Sequence, residues 1–252
     1  MNSVQLADQV ATPIQIIGLS FYFDAPTRER AKSLGLNSFE FYGLGRGGTL
    51  GDVDAEVVIE AFTFFHPRSV ERMWTLAKTK ADPVATAAQY QEAAYAFADR
   101  TFGAIDRDVL AAFAQAAFKV VAGVEGGRHL LVDGYKKFDT PSDPVHAAYL
   151  GAIMLRELRG CVHIDAVGEV GLDPVEAIYL EDPNLFKLHG YEEDEIPVTT
   201  PDVEAKKVEA EVLTSAKMAV YFDVLDDDER DSVATGAAAM FAALSQPAAA
   251  TR

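Results

Sequence analysis

Residues 143–171, DPVHAAYLGAIMLRELRGCVHIDAVGEVG, read as one long helix that is mostly apolar but crossed by a band of ionic groups. Asp143 stands at the N-cap, Pro144 where a first-turn proline is tolerated, and Gly171 where a left-handed residue ends a helix. At about 100° per residue, Arg156, Arg159 and His163 share one stripe, and Glu157 lies beside it. Charge on so apolar a helix must reach solvent, find partners or line a cavity, because unpaired burial costs several kcal/mol.

The same punctuation recurs along the chain. Asp24-Ala25-Pro26 opens a segment that Gly35 can close, and residues 52–65 start with acids and carry a broad apolar face. Residues 82–103 run from Asp82-Pro83 to Gly103, residues 106–122 end at Gly123, and Asp173-Pro174 opens another helix. Two further helices are predicted over 203–225 and 227–244, with SQPAAATR as a frayed tail. The runs 13–23 (PIQIIGLSFYF) and 129–134 (HLLVDG) fit either a strand or a buried helix, since periodicity does not arbitrate at that length. With no convincing hairpin, the pattern predicts an all-α multi-helix bundle with a C-terminal helical extension. The acidic, proline-bearing stretch HGYEEDEIPVTTPD reads as a linker, which divides the chain into a core over 1–188, a loop over 189–202 and C-terminal helices over 203–245 packing on that core.

Composition narrows the function classes. A chain of 252 residues, 49% hydrophobic, is long enough to bury a full core. Its net charge of −17 works against non-specific attraction to phosphate, so nucleic acid is set behind other partners. The N-terminus lacks a signal-peptide pattern and no run approaches ~20 apolar residues, so the expectation is a cytoplasmic protein without a membrane span. The single cysteine, Cys161, excludes an internal disulfide, and five histidines without HxxxH or HExxH spacing suggest no metal site.

Candidate chemistry gathers on the long helix. Arg156 and Arg159 suit a carboxylate or phosphate, Glu157 can fix one guanidinium by a bidentate pair, and His163 is placed to act as acid or base. A solvated face, or a structural network joining the helix to Arg46, uses the same residues. In YGLGRGGTLG (42–51) the glycines read as a loop, with tight turns, an anion nest and Arg46 pointing inward. Neither a P-loop nor a dinucleotide fingerprint fits it. Phe39, Phe41, Phe62, Phe64 and Phe65 form an aromatic cluster for a core or pocket wall, with Phe64 and Phe65 alternatively meeting a second subunit in a homodimer. Cys161 reads as a small buried thiol.

Several spaced motifs, in order, resemble a family of actinobacterial helical proteins described by a helix-turn-helix region. YGLGRGGTLG is similar to YFxGRxxPLG, MLRELRGCVHIDAVGEVGLD (154–173) to LLREHRGDGHxAAL-xxAGLD, and GYEEDEI (190–196) to GWSEEEW. FTFFHP and the Gly127-Arg128 pair fall between them. The resemblance spans roughly residues 13–235 and implies a helical fold without naming an activity. Where the family has polar groups this chain has Leu158, Cys161, Val162 and Phe64, so a shared pocket would be greasier here. The family's winged-helix-like stretch has no room between Ile196 and Ala205.

Together these readings predict a pocket protein that binds an organic acid or other polar-headed metabolite. Glu157 and His163 are its candidate catalytic pair, and Arg46, Arg156, Arg159, Tyr42, Phe64 and Cys161 its ligand-binding set. No cofactor is named by the sequence. The alternatives are a transcriptional regulator of helix-turn-helix descent and a scaffold docking through the helices of 82–122.

Overall fold

Asp-Pro openings set many of the helix starts. In the computed structural model, which describes residues 1–245, thirteen α-helices and no strand are found among the described residues. They are α1 (Ser3–Leu19), α2 (Ala25–Ser33), α3 (Ser38–Gly47), α4 (Ala55–Ala61), α5 (Pro67–Lys78), α6 (Pro83–Phe102) and α7 (Arg107–Ala122). After them come α8 (Leu130–Tyr135), α9 (Pro144–Glu169), α10 (Pro174–Glu181), α11 (Pro183–Leu188), α12 (Pro201–Phe222) and α13 (Asp227–Leu244). The all-α expectation is met. Asp82, Asp143 and Asp173 each accept a backbone N–H of the first turn, at 2.7, 2.8 and 2.9 Å, with proline directly after each cap. Asp24 makes no such bond and pairs with Arg100 instead. The tail from Gln246 onward, expected to fray, lies outside the described residues.

Both ambiguous runs are helical: 13–23 closes α1 and continues as a 3-10 turn over Ser20–Phe23, and 129–134 lies in and just before α8. The helix expected over 52–65 is shorter. It ends at Ala61, and Phe62 leaves helical geometry at φ −108°, ψ 38°. Pro67 disfavours helical backbone at His66, whose Nδ1 accepts the Arg68 N–H at 3.1 Å as the cap of α5. This break turns the Phe62–Phe65 rings away from a single helix face.

The glycine-rich stretch is likewise not a loop. Residues up to Gly47 belong to α3, and a 3-10 turn follows over Gly48–Leu50; only Gly51 there has positive φ, at 112°. The other glycines serve close packing. A Cβ on Gly45 would meet the Tyr90 ring at 2.2 Å, and one on Gly48 would meet the Pro83 carbonyl oxygen at 2.1 Å. Those backbones can approach only because no side chain stands between them.

Helix α9 is the axis of the molecule. Its residues from Ala147 to Leu155 are all buried, with α1, α6, α7, α8 and α12 packed around it. Helix α13 lies on α1 and α7, while α3 packs on α5 and α6. The apolar faces of α6 and α7, expected as a docking surface, are occupied by these contacts; Val84 is the large hydrophobic on those two helices that stands exposed. A smaller apolar cluster of Val167, Leu172, Ala177, Val203 and Ala210 joins α9 to α10 and α12.

Candidate functional site

Where α9 emerges from its all-apolar half, it meets a cavity of about 830 Å³, within the usual range for small-molecule sites. Arg156, Glu157, Arg159, Cys161 and His163 line it from α9, Tyr42 and Arg46 from α3, and Phe64 from the bend after α4. These are the eight residues singled out from the sequence. They sort into two polar groups.

The inner group is an Arg–Glu–Arg triad. Arg46 donates to Glu157 in the bidentate manner, Nε to Oε1 at 3.1 Å and Nη2 to Oε2 at 2.6 Å. Arg46 Nη1 donates to the Tyr42 hydroxyl, and its guanidinium lies 4.8 Å from the Phe62 ring centre. Arg156 Nη1 donates to Glu157 Oε1 at 2.9 Å and to the Tyr22 hydroxyl at 3.2 Å. Glu157 is 2% exposed. Burial works to raise its pKa, but Arg46 and Arg156 overcome this and hold the carboxyl below the ordinary glutamate range. With both oxygens taken by guanidinium donors, Glu157 positions two cations and is poorly placed to exchange protons. Tyr22 is pushed up to about 12 by burial, against the pull of Arg156, so it stays a neutral phenol.

The outer group joins α9 to α12. Arg159 Nη2 donates to Glu211 Oε2 at 2.9 Å, and Lys207 donates to Glu211 and Glu181, both at 2.8 Å. His163 Nδ1 stands 2.9 Å from the Thr214 hydroxyl, which itself donates to the Ala210 carbonyl at 2.6 Å. A hydroxyl has one proton, so Thr214 accepts from His163 Nδ1–H, and His163 Nε2 stands 3.7 Å from Glu211 Oε1. Burial lowers the His163 pKa against the opposing pull of Glu211. The shared helical stripe of Arg156, Arg159 and His163 therefore serves two separate networks. Cys161 is a pocket-wall thiol raised to about 12, first by burial and then by Glu157, which leaves it unreactive.

Sequence reasoning missed Tyr22, Lys207, Glu211 and His189, which line the same space. His189 lies tilted against Phe65 with ring centres 4.0 Å apart and donates Nδ1–H to the Leu185 carbonyl. The Lys207/Glu211 spacing of one helical turn was available as a signal, but nothing local ties it to α9. Of the named aromatics, Phe39, Phe62, Phe64 and Phe65 reach the cavity, whereas Phe41 packs on Tyr90 in the core. Around the cavity five cations (Arg28, Arg46, Arg156, Arg159, Lys207) face three carboxylates (Glu157, Glu181, Glu211). A chain of net charge −17 thus encloses a cationic interior.

One wall has a particular connection. Helices α2 and α3 are joined by residues 34–37, with Gly35 in the left-handed region at φ 73°. The sequence pattern described as a helix-turn-helix family matches residues 7–195, about three quarters of the chain. The chain belongs to this helix-turn-helix family. No curated protein and no solved structure matches it. For a helix-turn-helix family member, setting nucleic acid aside on net charge needs correction: the family match brings DNA back among the possible partners. The charge argument failed because net charge is a whole-molecule sum, while duplex contact depends on the local arrangement of cations. On α2, Arg28 and Lys32 are exposed. No helix among the described residues is long and apolar enough to cross a membrane.

Proposed function

We propose that this chain is a ligand-responsive regulator: a largely apolar small molecule with a polar head enters the cavity, and occupancy is passed to a nucleic-acid-binding surface. The family match carries the regulatory half of this reading. Its supporting geometry is that α2 and α3, two helices joined by a short glycine-bearing turn, form a pocket wall, since Arg28 of α2 and Phe39, Tyr42 and Arg46 of α3 all line the cavity. A ligand touching those side chains interacts differently with any two arrangements of α2 and α3, which is what coupling requires.

The test has two arms. Fluorescence anisotropy with a pool of labelled duplexes at about 50 mM salt should show binding that weakens steeply as salt rises. Lys32→Glu, outside the cavity, should weaken it further. Absence of duplex binding under those conditions would reject the regulatory half. A thermal-shift screen of metabolites should raise Tm for at least one polar-headed apolar compound, and no shift across the screen would reject the ligand half.

A second reading, an enzyme acting on an organic acid, is favoured by one observation: His163 lines the cavity with Nδ1 held by Thr214, which leaves Nε2 as the nitrogen available for proton exchange. Turnover of a screening hit, lost in His163→Gln while the hit still binds, would support it.

A further inference from the structure

The two guanidiniums of the inner triad are not equivalent. Arg46 is saturated on three sides: Nε and Nη2 go to Glu157, and Nη1 to Tyr42. Arg156 is engaged through Nη1 alone. Its Nε is buried with no hydrogen-bond partner among the described residues, and its Nη2 makes no hydrogen bond either. Nε and Nη2 lie on one edge of the guanidinium, and because Nε is shut off there, Nη2 is the unengaged nitrogen that a ligand can reach. A buried charged donor without an acceptor is an unfavourable arrangement unless something supplies one.

From this partly unpaired guanidinium we infer that the cavity takes an aromatic monocarboxylate, its carboxylate accepting from Arg156 Nη2 and its ring system along the phenylalanine wall. The inference deepens the ligand half of the proposed function and rests on it. Charge fixes the head. Two guanidiniums face one Glu157 carboxylate in the triad, so one further negative charge balances it and a dianion would overshoot. The position of the edge is set by α1: a Cβ on Gly18 would lie 2.6 Å from Arg156 Cδ, so the arginine stem rests directly on that bare backbone.

Ring geometry fixes the body. Phe39 and Phe65 stack with centres 5.8 Å apart, Phe65 continues onto His189, and Phe64 lies 5.7 Å from His163. These rings offer flat faces and edges to a planar guest, which aromatic pairs favour over a flexible chain. Ile178 and Leu188 line the space further out.

Isothermal titration of the full-length protein with four probes tests this: 2-naphthoate, 2-naphthamide, 2-naphthyl phosphate and decanoate. Naphthoate should bind, with the amide weaker by on the order of tenfold or more, since the amide lacks the charge. Arg156→Met removes the donor and its charge, and should weaken naphthoate by a similar factor while circular dichroism confirms the fold. Equal binding of acid and amide, or a preference for the phosphate, overturns the head-group assignment. Tighter binding of decanoate overturns the aromatic body. The acid–amide comparison uses unmodified protein, so it decides even where the variant does not fold. If none of the four binds yet the metabolite screen yields another ligand, this inference falls and the ligand reading stands. If nothing binds in either experiment, both fall.

Discussion

Glu157 shows what a single side chain does here. It is surrounded by cations and closed off from water, so its charge is compensated only by Arg46 and Arg156. Replacing it by Gln would leave two guanidiniums buried close together with no counter-charge. Breaking a buried ionic group in this way generally costs about 3–5 kcal/mol. Glu157→Gln is therefore expected to lower stability by about that much, read as a fall in the urea midpoint with the slope unchanged. A loss below about 1 kcal/mol would mean that the triad is hydrated in solution, as surface pairs are. Arg159→Met should be milder, because its partner Glu211 also holds Lys207 and is partly exposed.

At the scale of elements, the contact between the 3-10 turn after α3 and the start of α6 leaves no room for a side chain. Gly48→Ala places a methyl group against the Pro83 carbonyl, a backbone atom with no rotamer to yield. Overpacking of this kind costs about 1–3 kcal/mol, so a thermal midpoint several degrees lower is expected. An unchanged midpoint would show that the start of α6 can shift. This contact also explains what the sequence could and could not disclose. The helix starts at Asp82-Pro83, Asp143-Pro144 and Asp173-Pro174 were legible because capping is local, while the same pair at Asp182-Pro183, opening the short α11, was passed over. Helix α3 was not, because glycine reads locally as a turn, whereas Gly45 and Gly48 are there for Tyr90 and Pro83, distant in sequence. The break at Phe62 was hidden for a similar reason, since 52–65 keeps an apolar face past the point where Pro67 dictates the ending. All eight residues chosen for the site do reach one cavity, because they lie on or against α9. The inner and outer networks were inseparable in the sequence, because only the arrival of α12 assigns Arg159 and His163 to Glu211 and Thr214.

At the scale of the whole molecule, acidity and burial oppose each other as pH changes. His129, His163 and His189 are all held below the usual imidazole value of 6.5, in each case chiefly by burial. The unfolded chain therefore takes up protons before the folded one, and stability is lost as pH falls from about 6.5 through the folded values. Protonation also relieves the self-repulsion of a −17 chain, which works the other way. In about 0.5 M salt that repulsion is screened, and the urea midpoint should be flat from pH 8 to 7 and fall between 6.5 and 5. A midpoint that rises over that interval would show that repulsion outweighs the buried imidazoles. One feature of the architecture reaches beyond stability. Helix α12 begins after residue 195, where the family pattern stops, yet its Lys207 and Glu211 close the far side of the cavity. The matched span therefore carries the guanidiniums, and residues beyond it complete the wall opposite them. A change at Lys207 or Glu211 alters what the space admits without touching any residue of that span.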